Sequence, residues 1–490
     1  MRSTGCMTCS AARATHRDRS ACIPTKRAAA RTPSPTDPCA ARPTGGPSAI
    51  PSQNSPIRER RAMNITLAYG KTGLDIAIDD ALKPAVYRKK RNPGAADPHA
   101  ALDTAMAAPI GAPRLRDIAA GKKTAAIVIN DITRPVPNKL LLPHIIDELR
   151  WAGLRDTDIC ILNATGTHRP APRDEQIELV GEDILARHPF FNHDCHADHD
   201  HLYLGLTPNG TEVFLDKRYM EADVRVLTGL IEPHFMAGYS GGRKALCPGL
   251  ASIRTVRHIH HPRFMEHPTA ANLVVKGNFM HEELLSIIRM ARVDFIVNAV
   301  INEDRELCAA FCGDVDEAHL AGVEAARRYD VVEADAEADI VITTSAGYPL
   351  DKTFYQAVKG LCGVEGLVRR GGTVILAAEC SEGMGNPAFL DCLRVRAQFA
   401  SHDDYIRHIE QPDHFIPDQW QVEKLSQALR RAHAVLVAGG LSEKDHQLTL
   451  CERAASVESA LRACLQKHGP SAKIAVVPEG PYVIPVVKGE

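Results

Sequence analysis

Residues 124–165 read "TAAIVINDITRPVPNKLLLPHIIDELRWAGLRDTDICILNAT". Two apolar, β-branched runs, 124–131 and 158–165, flank a segment with helical spacing at 137–153, which has a proline near its start and a glycine at its end. Short apolar runs bounded by polar loops are typical of strands that are buried on both faces. This stretch therefore predicts a strand–helix–strand unit of an α/β fold.

The same alternation continues on both sides of a charged helical stretch at 316–338. Before it, further strands are predicted at 222–230 and 294–301. After it, a second α/β set begins, with apolar runs at 339–347, 373–379, 434–440 and 473–487. The sequence therefore predicts two α/β domains, 63–330 and 331–490, with roughly the last 20 residues packing back on the first domain.

Composition excludes several classes of protein. The 490 residues carry a net charge of −2 and are 44% hydrophobic, which is ordinary for globular domains. No apolar run reaches membrane-spanning length, and the near-neutral charge argues against nucleic acid as a partner. The 14 cysteines are too sparse and irregular for a disulfide scaffold. We expect a cytoplasmic protein with reduced thiols.

The leader, residues 1–62, differs from the rest of the chain. It holds eleven Lys and Arg residues against three Asp and Glu, with eight prolines and no apolar periodicity. Such a segment cannot bury enough apolar surface to offset its ordering entropy. We interpret it as a disordered tail or as over-annotated sequence, with Met63 as the start of the first strand, "MNITLAYG".

Polar side chains follow the predicted strands, where α/β proteins build their sites. Asp131 and Arg134 follow the first strand, and an arginine there can grip a carboxylate with two parallel hydrogen bonds. Taken alone, this loop also fits a helix cap with a surface arginine. Thr165, Gly166 and His168 follow the second strand, and His168 can act as a base near neutral pH.

A glycine loop, "EPHFMAGYSGGRKALCPG" at 232–249, follows the strand at 222–230. The P-loop pattern requires Ser or Thr after the lysine, and Ala245 stands there instead. The loop offers His234, Gly241, Gly242 and Lys244, and it is followed by a histidine-rich segment that contains His260. The pattern thus predicts a ligand loop with a different use for its lysine.

Two further stretches of the sequence are candidate sites. "SAGYPLDKTFYQAVKG" at 345–360 predicts a helix capped by Asp351, from which Tyr355, Gln356 and Lys359 can point into one cleft. The five histidines of 188–201 are expected on a polar, exposed loop rather than around a metal.

Taken together, these motifs resemble the nickel-pincer lactate racemase family. Four stretches match in order, over the whole chain except the leader: "NDITRPVP", "ATGTHRP", "EPHFMAGYSGGRKALCPG" with "RHIHHP", and "GYPLDKTFYQAVKG". The resemblance implies two α/β domains with the active site in the cleft between them. It also implies a pyridinium-3,5-bisthiocarboxylic acid mononucleotide that carries nickel, and enzymes that make this cofactor as partners.

The resemblance assigns roles residue by residue. Lys244 would be the covalent attachment point of the cofactor, and Gly241, Gly242, Thr165 and Gly166 would lie beside it. A second group of residues would act on the metal and the substrate, with His260 as nickel ligand, His168 and His234 as paired acid/base groups, and Asp131, Arg134, Tyr355, Gln356 and Lys359 as orienting residues. Hydride leaving C2 of a 2-hydroxy acid and returning to either face would invert that carbon, with one histidine for each face.

The resemblance implies lactate as the default substrate. Phe235 and Met236, which directly follow His234, would favour a small apolar side chain on the substrate if they line the pocket. A dicarboxylate would need one more cation, for which Arg243, Arg254 and Arg263 are candidates. Two other functions fit the residues less completely. One is a zinc hydrolase with His168, His234 and His260 as ligands, and the other is a non-catalytic protein that binds 2-hydroxy acids or nucleotides.

Overall fold

The fold is described from a computed structural model, which covers residues 61–489. The predictions for residues 1–60 of the leader lie outside this part of the chain. Within residues 61–489, none of the helices combines the length and apolar character needed to cross a membrane.

Twenty strands alternate with helices along the described chain. They are β1 Ala62–Leu67, β2 Leu74–Asp79, β3 Ala85–Val86, β4 Ala125–Asn130, β5 Ile159–Ala164, β6 Phe190–Asn192, β7 His201–Leu206, β8 Glu212–Asp216, β9 Val224–Leu230, β10 Pro233–His234, β11 Gly238–Tyr239, β12 Phe295–Ile301, β13 Leu307–Gly313, β14 Val331–Ala334, β15 Ala338–Thr344, β16 Val368–Ala377, β17 His433–Val437, β18 Glu452–Arg453, β19 Ile474–Val477 and β20 Ile484–Val487.

Seventeen α-helices lie in the same part of the chain. They are α1 Pro98–Ala107, α2 Leu115–Ala119, α3 Asn138–Trp151, α4 Arg173–Val180, α5 Glu182–Arg187, α6 Lys217–Glu221, α7 Gly242–Leu246, α8 Ile253–Ile259, α9 Pro262–Met265, α10 Phe279–Ala291, α11 Glu317–Asp330, α12 Phe354–Gly363, α13 Pro387–Arg396, α14 His402–Ile409, α15 Gln419–Arg431, α16 Glu443–Leu448 and α17 Val457–His468.

The first large sheet has the strand order β13-β12-β9-β4-β5-β6, and it is parallel except for β13. The strand–helix–strand unit predicted at 124–165 is confirmed as β4, α3 and β5, with Ala125 paired with Ile159. Strands β4, β9 and β12 are buried along nearly their whole length because helices and loops cover both faces of the sheet.

The second large sheet has the order β18-β17-β16-β15-β19-β3 and is parallel throughout. The two sheets confirm an α/β protein with two domains. One continuous apolar cluster contains side chains from both halves, including Leu227 and Leu246 from the first and Val341 and Leu425 from the second. The halves therefore share packed surface around the cleft between them.

Both ends of the described chain join elements that are distant in sequence. Strand β3 pairs with β19 of the second sheet, and Ile65 and Ile78 of the β1–β2 hairpin pack in a cluster with Ile342. Strand β20 pairs with β14, and Ile484 packs with Ile231 of the first half. The boundary at 330 stays a prediction, and residues 62–86 lie against the second sheet.

Two local predictions were wrong. Residues 331–334 form strand β14 rather than the end of a helix, because their backbone pairs in parallel with β20. The helix α12 is capped by Thr353, whose hydroxyl accepts a hydrogen bond from the backbone N–H of Gln356. The Asp351 carboxylate instead accepts from the backbone N–H groups of Gly70 and Glu379.

Candidate active site

Three neighbouring strands of the first sheet end at one edge and deliver the polar loops predicted from the sequence. Strand β4 lies between β9 and β5, and all three run parallel. Asp131 and Arg134 follow β4, His168 follows β5, and His234 follows β9. The carboxyl ends of parallel strands therefore place one histidine on each side of the β4 loop.

A cavity of about 150 Å³ lies at this edge, between the two sheets. Twelve of the thirteen predicted site residues line it: Asp131, Arg134, Thr165, Gly166, His168, His234, Gly241, Lys244, His260, Tyr355, Gln356 and Lys359. It shares Arg134, His168 and Tyr355 with a larger cleft of about 1470 Å³. Residues separated by more than two hundred positions in sequence thus meet in one small space.

His168 is oriented by a carboxylate. Its Nδ1 lies 2.7 Å from Oδ2 of Asp131, and the Thr133 hydroxyl donates to Oδ1 of the same carboxylate at 2.7 Å. Burial opposes charge on both groups, but their mutual attraction outweighs it: the pKa of His168 is raised and that of Asp131 is lowered. The Nδ1–H to Asp131 bond leaves Nε2 as the atom that exchanges protons.

His234 has a different environment. The imidazole is buried, and burial followed by the charges of Lys244, Arg134 and Lys359 lowers its pKa well below the usual value. Backbone N–H groups of Met236 and Ala237 point at Nδ1 from 3.3 Å. His234 is therefore neutral, and in the tautomer that these N–H groups favour it carries its proton on Nε2.

The glycine loop packs tightly against β9. A Cβ on Gly229 would lie 2.3 Å from the backbone nitrogen of Gly242, which also donates to Oδ1 of Asn298 at 2.8 Å. This contact turns Gly242 towards the sheet, and it does not line the cavity, unlike Gly241. The prediction that Gly242 lies beside a ligand is thus not supported by its position; its role is to let α7 approach the sheet closely.

Lys244 lies on α7 and projects into the cavity. Burial, followed by the charge of Arg134, lowers its pKa to about 7. A large fraction of this amine is therefore unprotonated at neutral pH. An unprotonated amine is a nucleophile, which is the state needed to form a covalent bond to a ligand.

His260 ends α8 with its ring fixed by the helix. Its Nδ1 lies 2.9 Å from the backbone oxygen of Val256, so Nδ1 donates and Nε2 keeps a free lone pair. Burial lowers the pKa of this imidazole to about 3. The ring packs on Trp420, with 4.3 Å between the ring centroids. A neutral imidazole with an oriented lone pair is the form that binds a metal.

The second sheet contributes the opposite wall of the cavity through α12. Lys359 faces the cavity, and burial, followed by the charge of Arg134, lowers its pKa to about 7. Arg134, on the first wall, forms an ion pair with Glu232 through Nη1 at 2.8 Å. The side-chain oxygen of Gln356 is buried without a hydrogen-bond partner. Arg134 and Lys359 thus face a space that can receive an anion, and the Gln356 oxygen can accept a hydrogen bond from a hydroxyl group there.

Two residues of the second domain that were not predicted, Trp420 and Gln421, also line the cavity. They lie at the start of α15, sixty positions beyond the nearest motif, and residues 419–426 of this helix are all buried. Helical periodicity gives no signal for a helix that is buried all round. The scarcity of tryptophan, with two in 490 residues, is the one sequence signal that could have drawn attention to Trp420.

The three candidate arginines for a second carboxylate all lie away from the cavity. Arg243 is buried beneath the glycine loop, where it contacts His281 at 2.8 Å and also His319. Arg254 pairs with a surface glutamate, and Arg263 donates to a backbone oxygen. The cavity thus gains no cation from these three residues.

The expectation for the five histidines of 188–201 was wrong in part. His188, His193 and His201 are buried, because this stretch contains β6 and leads into β7. His193 contacts Asp216 at 3.3 Å and the backbone oxygen of Ala251 at 3.1 Å. Within residues 61–489, no group of three or more His, Cys, Asp or Glu side chains is placed to hold a metal ion.

Comparisons with known proteins agree with the fold. Residues 69–272 match the family described as "Lactate racemase N-terminal domain", and residues 333–485 match "Lactate racemase C-terminal domain". The chain is 33% identical over 428 residues to the lactate racemase of Thermoanaerobacterium thermosaccharolyticum, covering 86% of this chain and 99% of the relative. It is also 33% identical over 433 residues to the lactate racemase of Lactiplantibacillus plantarum, with the same coverage.

Solved structures give the same result. The lactate racemase apoprotein from T. thermosaccharolyticum superposes with a TM-score of 0.81 at 33% identity, over 86% of this chain and all of that chain. A Thermotoga maritima protein shares the fold, with a TM-score of 0.59 at 18% identity over 76% of this chain and 98% of its own. Sequence identity that extends over both domains, together with a closely similar fold, shows that the chain belongs to the lactate racemase family of isomerases.

Proposed function

We propose that the protein inverts C2 of a small 2-hydroxy monocarboxylic acid, with lactate as the reference substrate, using a nickel-pincer nucleotide attached to Lys244. The observation that carries this proposal is the pair His168 and His234, which line one small cavity together with the cations of Arg134 and Lys359. A racemase needs an acid/base group on each face of its substrate and a fixed carboxylate between them.

The side chains of the cavity fit the proposed cofactor. Lys244 offers an amine that is partly unprotonated near pH 7, and His260 offers a neutral imidazole whose Nδ1 is already bound. One imidazole nitrogen beside sulfur donors of the nucleotide is a donor set that suits nickel. Gly166, with a φ of 57°, and Gly241 let backbone approach a nucleotide without a side chain in between. When bound, the group would supply a reversible acceptor for the hydride of C2.

The substrate carboxylate would be held between the two walls. The free edge of the Arg134 guanidinium would face it from the first wall and Lys359 from the second, and the charge of the carboxylate would favour the protonated form of Lys359. The Gln356 oxygen would accept from the substrate hydroxyl. Phe235 and Met236 line the same cavity and favour a small apolar substituent on C2. A fixed carboxylate limits the motion of the intermediate 2-keto acid to exchange of its two faces.

The two histidines would transfer the protons, with His234 neutral and His168 protonated when turnover begins. Neutral His234 takes the hydroxyl proton of the enantiomer on its face as C2 loses hydride, which leaves a planar 2-keto acid. Protonated His168 then returns a proton from Nε2 to the keto oxygen as hydride returns to the other face of C2. To accept at Nε2, His234 must first carry its proton on Nδ1, and the 3.3 Å contacts there are at the long end of the hydrogen-bond range.

The experiment that tests this proposal is expression of the full chain together with enzymes that make the cofactor. We expect a covalent adduct on Lys244 by peptide mass mapping, about one nickel per chain, and racemisation of lactate in both directions. Lys244→Ala should abolish the adduct and the activity, whereas Lys276→Gln, an exposed lysine, should change neither. Racemisation by a protein with an unmodified Lys244 would refute the proposed cofactor linkage.

The structure favours neither of the two alternatives. A zinc hydrolase needs three clustered ligands, and His168, His234 and His260 form no such group in residues 61–489. Membership of the lactate racemase family argues against a protein that only binds its ligand.

A further inference from the structure

Asp418 occupies the position before α15, where an aspartate usually caps the helix. Its side chain makes no capping hydrogen bond, and its backbone has a φ of 68°, in the left-handed region. Its exposure is 3%. A non-glycine residue in this conformation costs on the order of 1 kcal/mol. An aspartate that makes no capping hydrogen bond and adopts a strained backbone conformation therefore has a role other than stabilising the helix.

The Asp418 carboxylate instead binds two side chains of the second domain. Oδ1 accepts from the hydroxyl of Tyr355 at 3.0 Å, and Oδ2 accepts from the side-chain nitrogen of Asn386 at 2.6 Å. Asn386 is itself fixed, because its oxygen caps α13 by accepting from the backbone N–H of Phe389 at 2.8 Å. The side-chain nitrogen of Gln421 holds the backbone oxygen of Tyr355 from the same helix. Asp418 thus joins α12, α13 and α15 at the phenol that lines the cavity.

The same residue and His168 both line the larger cleft, Asp418 from the second domain and His168 from the first. The charged groups that act on His168 are Asp131, Asp418 and Arg134. Asp131 belongs to the first sheet and contacts the ring directly, whereas Asp418 acts from the second domain without direct contact. His168 therefore experiences the charges of two carboxylates that belong to different domains. Burial raises the pKa of the Asp418 carboxyl, and the hydrogen bonds from Asn386 and Tyr355 oppose this by favouring its charged form.

We propose that Asp418 is a positioning residue that fixes the Tyr355 phenol in the cavity and places a second negative charge opposite His168. This inference rests on the proposed function for its catalytic consequence. In physical terms, the imidazolium of His168 is stabilised fully only when the second domain is in place beside the first. The acid that serves one face of the substrate, the imidazolium of His168, thus depends on charges from both domains.

Two substitutions separate the hydrogen bonds of Asp418 from its charge. Asp418→Asn tolerates the left-handed backbone, since asparagine adopts it readily, and its oxygen still accepts from Tyr355. Its amide nitrogen, however, then faces the amide nitrogen of Asn386. The double variant Asp418→Asn/Asn386→Asp restores this bond and keeps the cap of α13. It also retains the net charge but moves that charge onto residue 386.

The first measurement is the titration of His168 by NMR in the full, cofactor-free chain with labelled histidine, assigned with His168→Gln. We expect the pKa of His168 to fall in both Asp418→Asn and the double variant, and to stay unchanged in Tyr355→Phe. The double variant should recover the melting temperature of the wild type. An unchanged His168 titration in Asp418→Asn would overturn the proposal.

The second measurement is the pH profile of racemisation by the cofactor-loaded enzyme. Loss of one charge-assisted interaction predicts a kcat about tenfold lower in Asp418→Asn, with the pH limb that reports His168 moved to lower pH. A uniform loss at all pH values, without movement of the limb, would also overturn the proposal. If the loaded wild type fails to racemise 2-hydroxy acids, the proposed function fails, while the NMR titration still decides the role of Asp418.

Discussion

The two histidines of the cavity face the same small space with opposite electrostatic surroundings. The carboxylates of Asp131 and Asp418 raise the pKa of His168, whereas burial, followed by the charges of Lys244, Arg134 and Lys359, lowers that of His234. Two titratable groups whose environments push their pKa values apart mark an acid and a base. The comparison shows that His168 keeps its ring proton to higher pH than His234 does, so the two imidazoles are suited to opposite roles in proton transfer.

The largest effect should come from removing either histidine. His168→Gln and His234→Gln should each lower racemisation by about 10²–10⁴-fold in both directions, because inversion uses an acid/base group on both faces. The measurement is polarimetry of the cofactor-loaded enzymes from each pure enantiomer. The control is His267→Gln, which replaces an exposed histidine in the loop after α9. A His234→Gln enzyme with the wild-type rate would remove this residue from the chemistry.

A smaller effect should follow from Asp131→Asn, which removes the direct partner of His168. One lost charge-assisted hydrogen bond predicts a kcat at least about tenfold lower. The pH limb that reports His168 should move to lower pH, and the titration of His234 should not change. An unaltered profile would show that Asp131 does not set the basicity of His168.

The same substitution has a pH-dependent effect on stability. The raised pKa of His168 stabilises the fold below its unfolded value of about 6.5, and this contribution is lost as pH rises through the folded value. The lowered pKa of Asp131 stabilises the fold above about 3.9 and is lost as pH falls. Asp131→Asn should therefore cost most between about pH 4 and 6.5. We expect about 1 kcal/mol by urea unfolding, since His168 is a third exposed and solvent screens the pair.

A substitution in α15 should lower stability but leave the difference between the pKa values of the two histidines unchanged. The buried ammonium of Lys424 on α15 donates to the backbone oxygens of Met265 and Ala270, at 3.3 and 2.9 Å, and so holds the segment after His260 against the second domain. Lys424→Met should lower the free energy of unfolding by about 1–3 kcal/mol, because it leaves a buried backbone oxygen unpaired. The NMR titrations of His168 and His234 should keep their separation. Convergence of the two pKa values would mean that α15 controls the asymmetry itself.

The smallest change should sharpen the comparison without altering the fold. In the cofactor-free chain, Lys244→Gln removes the cation with the largest effect on His234, so the pKa of His234 should rise while that of His168 stays constant. Lys276→Gln should leave both unchanged. A rise at both histidines would contradict a local effect of Lys244.

Much of the site could be predicted because its residues directly follow strands. Asp131, His168 and His234 stand where apolar runs end, and parallel strands must bring these ends to one edge. Gly242 is the predicted site residue that does not line the cavity, and a glycine in a ligand loop and a glycine packed against a sheet look the same in sequence. Trp420 and Asp418 could not be found, because α15 reaches the cavity only through packing between the domains.

The sequence by itself determined the α/β alternation, the polar loops after the strands and the lysine that lines the cavity, because periodicity and the positions of strand ends are local properties of the chain. Only the tertiary structure decided how the two histidines differ. The carboxylates that raise the pKa of His168 and the cations that lower that of His234 come from segments that are far apart in sequence. A pKa depends on burial and on charges within a few ångströms, and those distances exist only after the two domains have packed together.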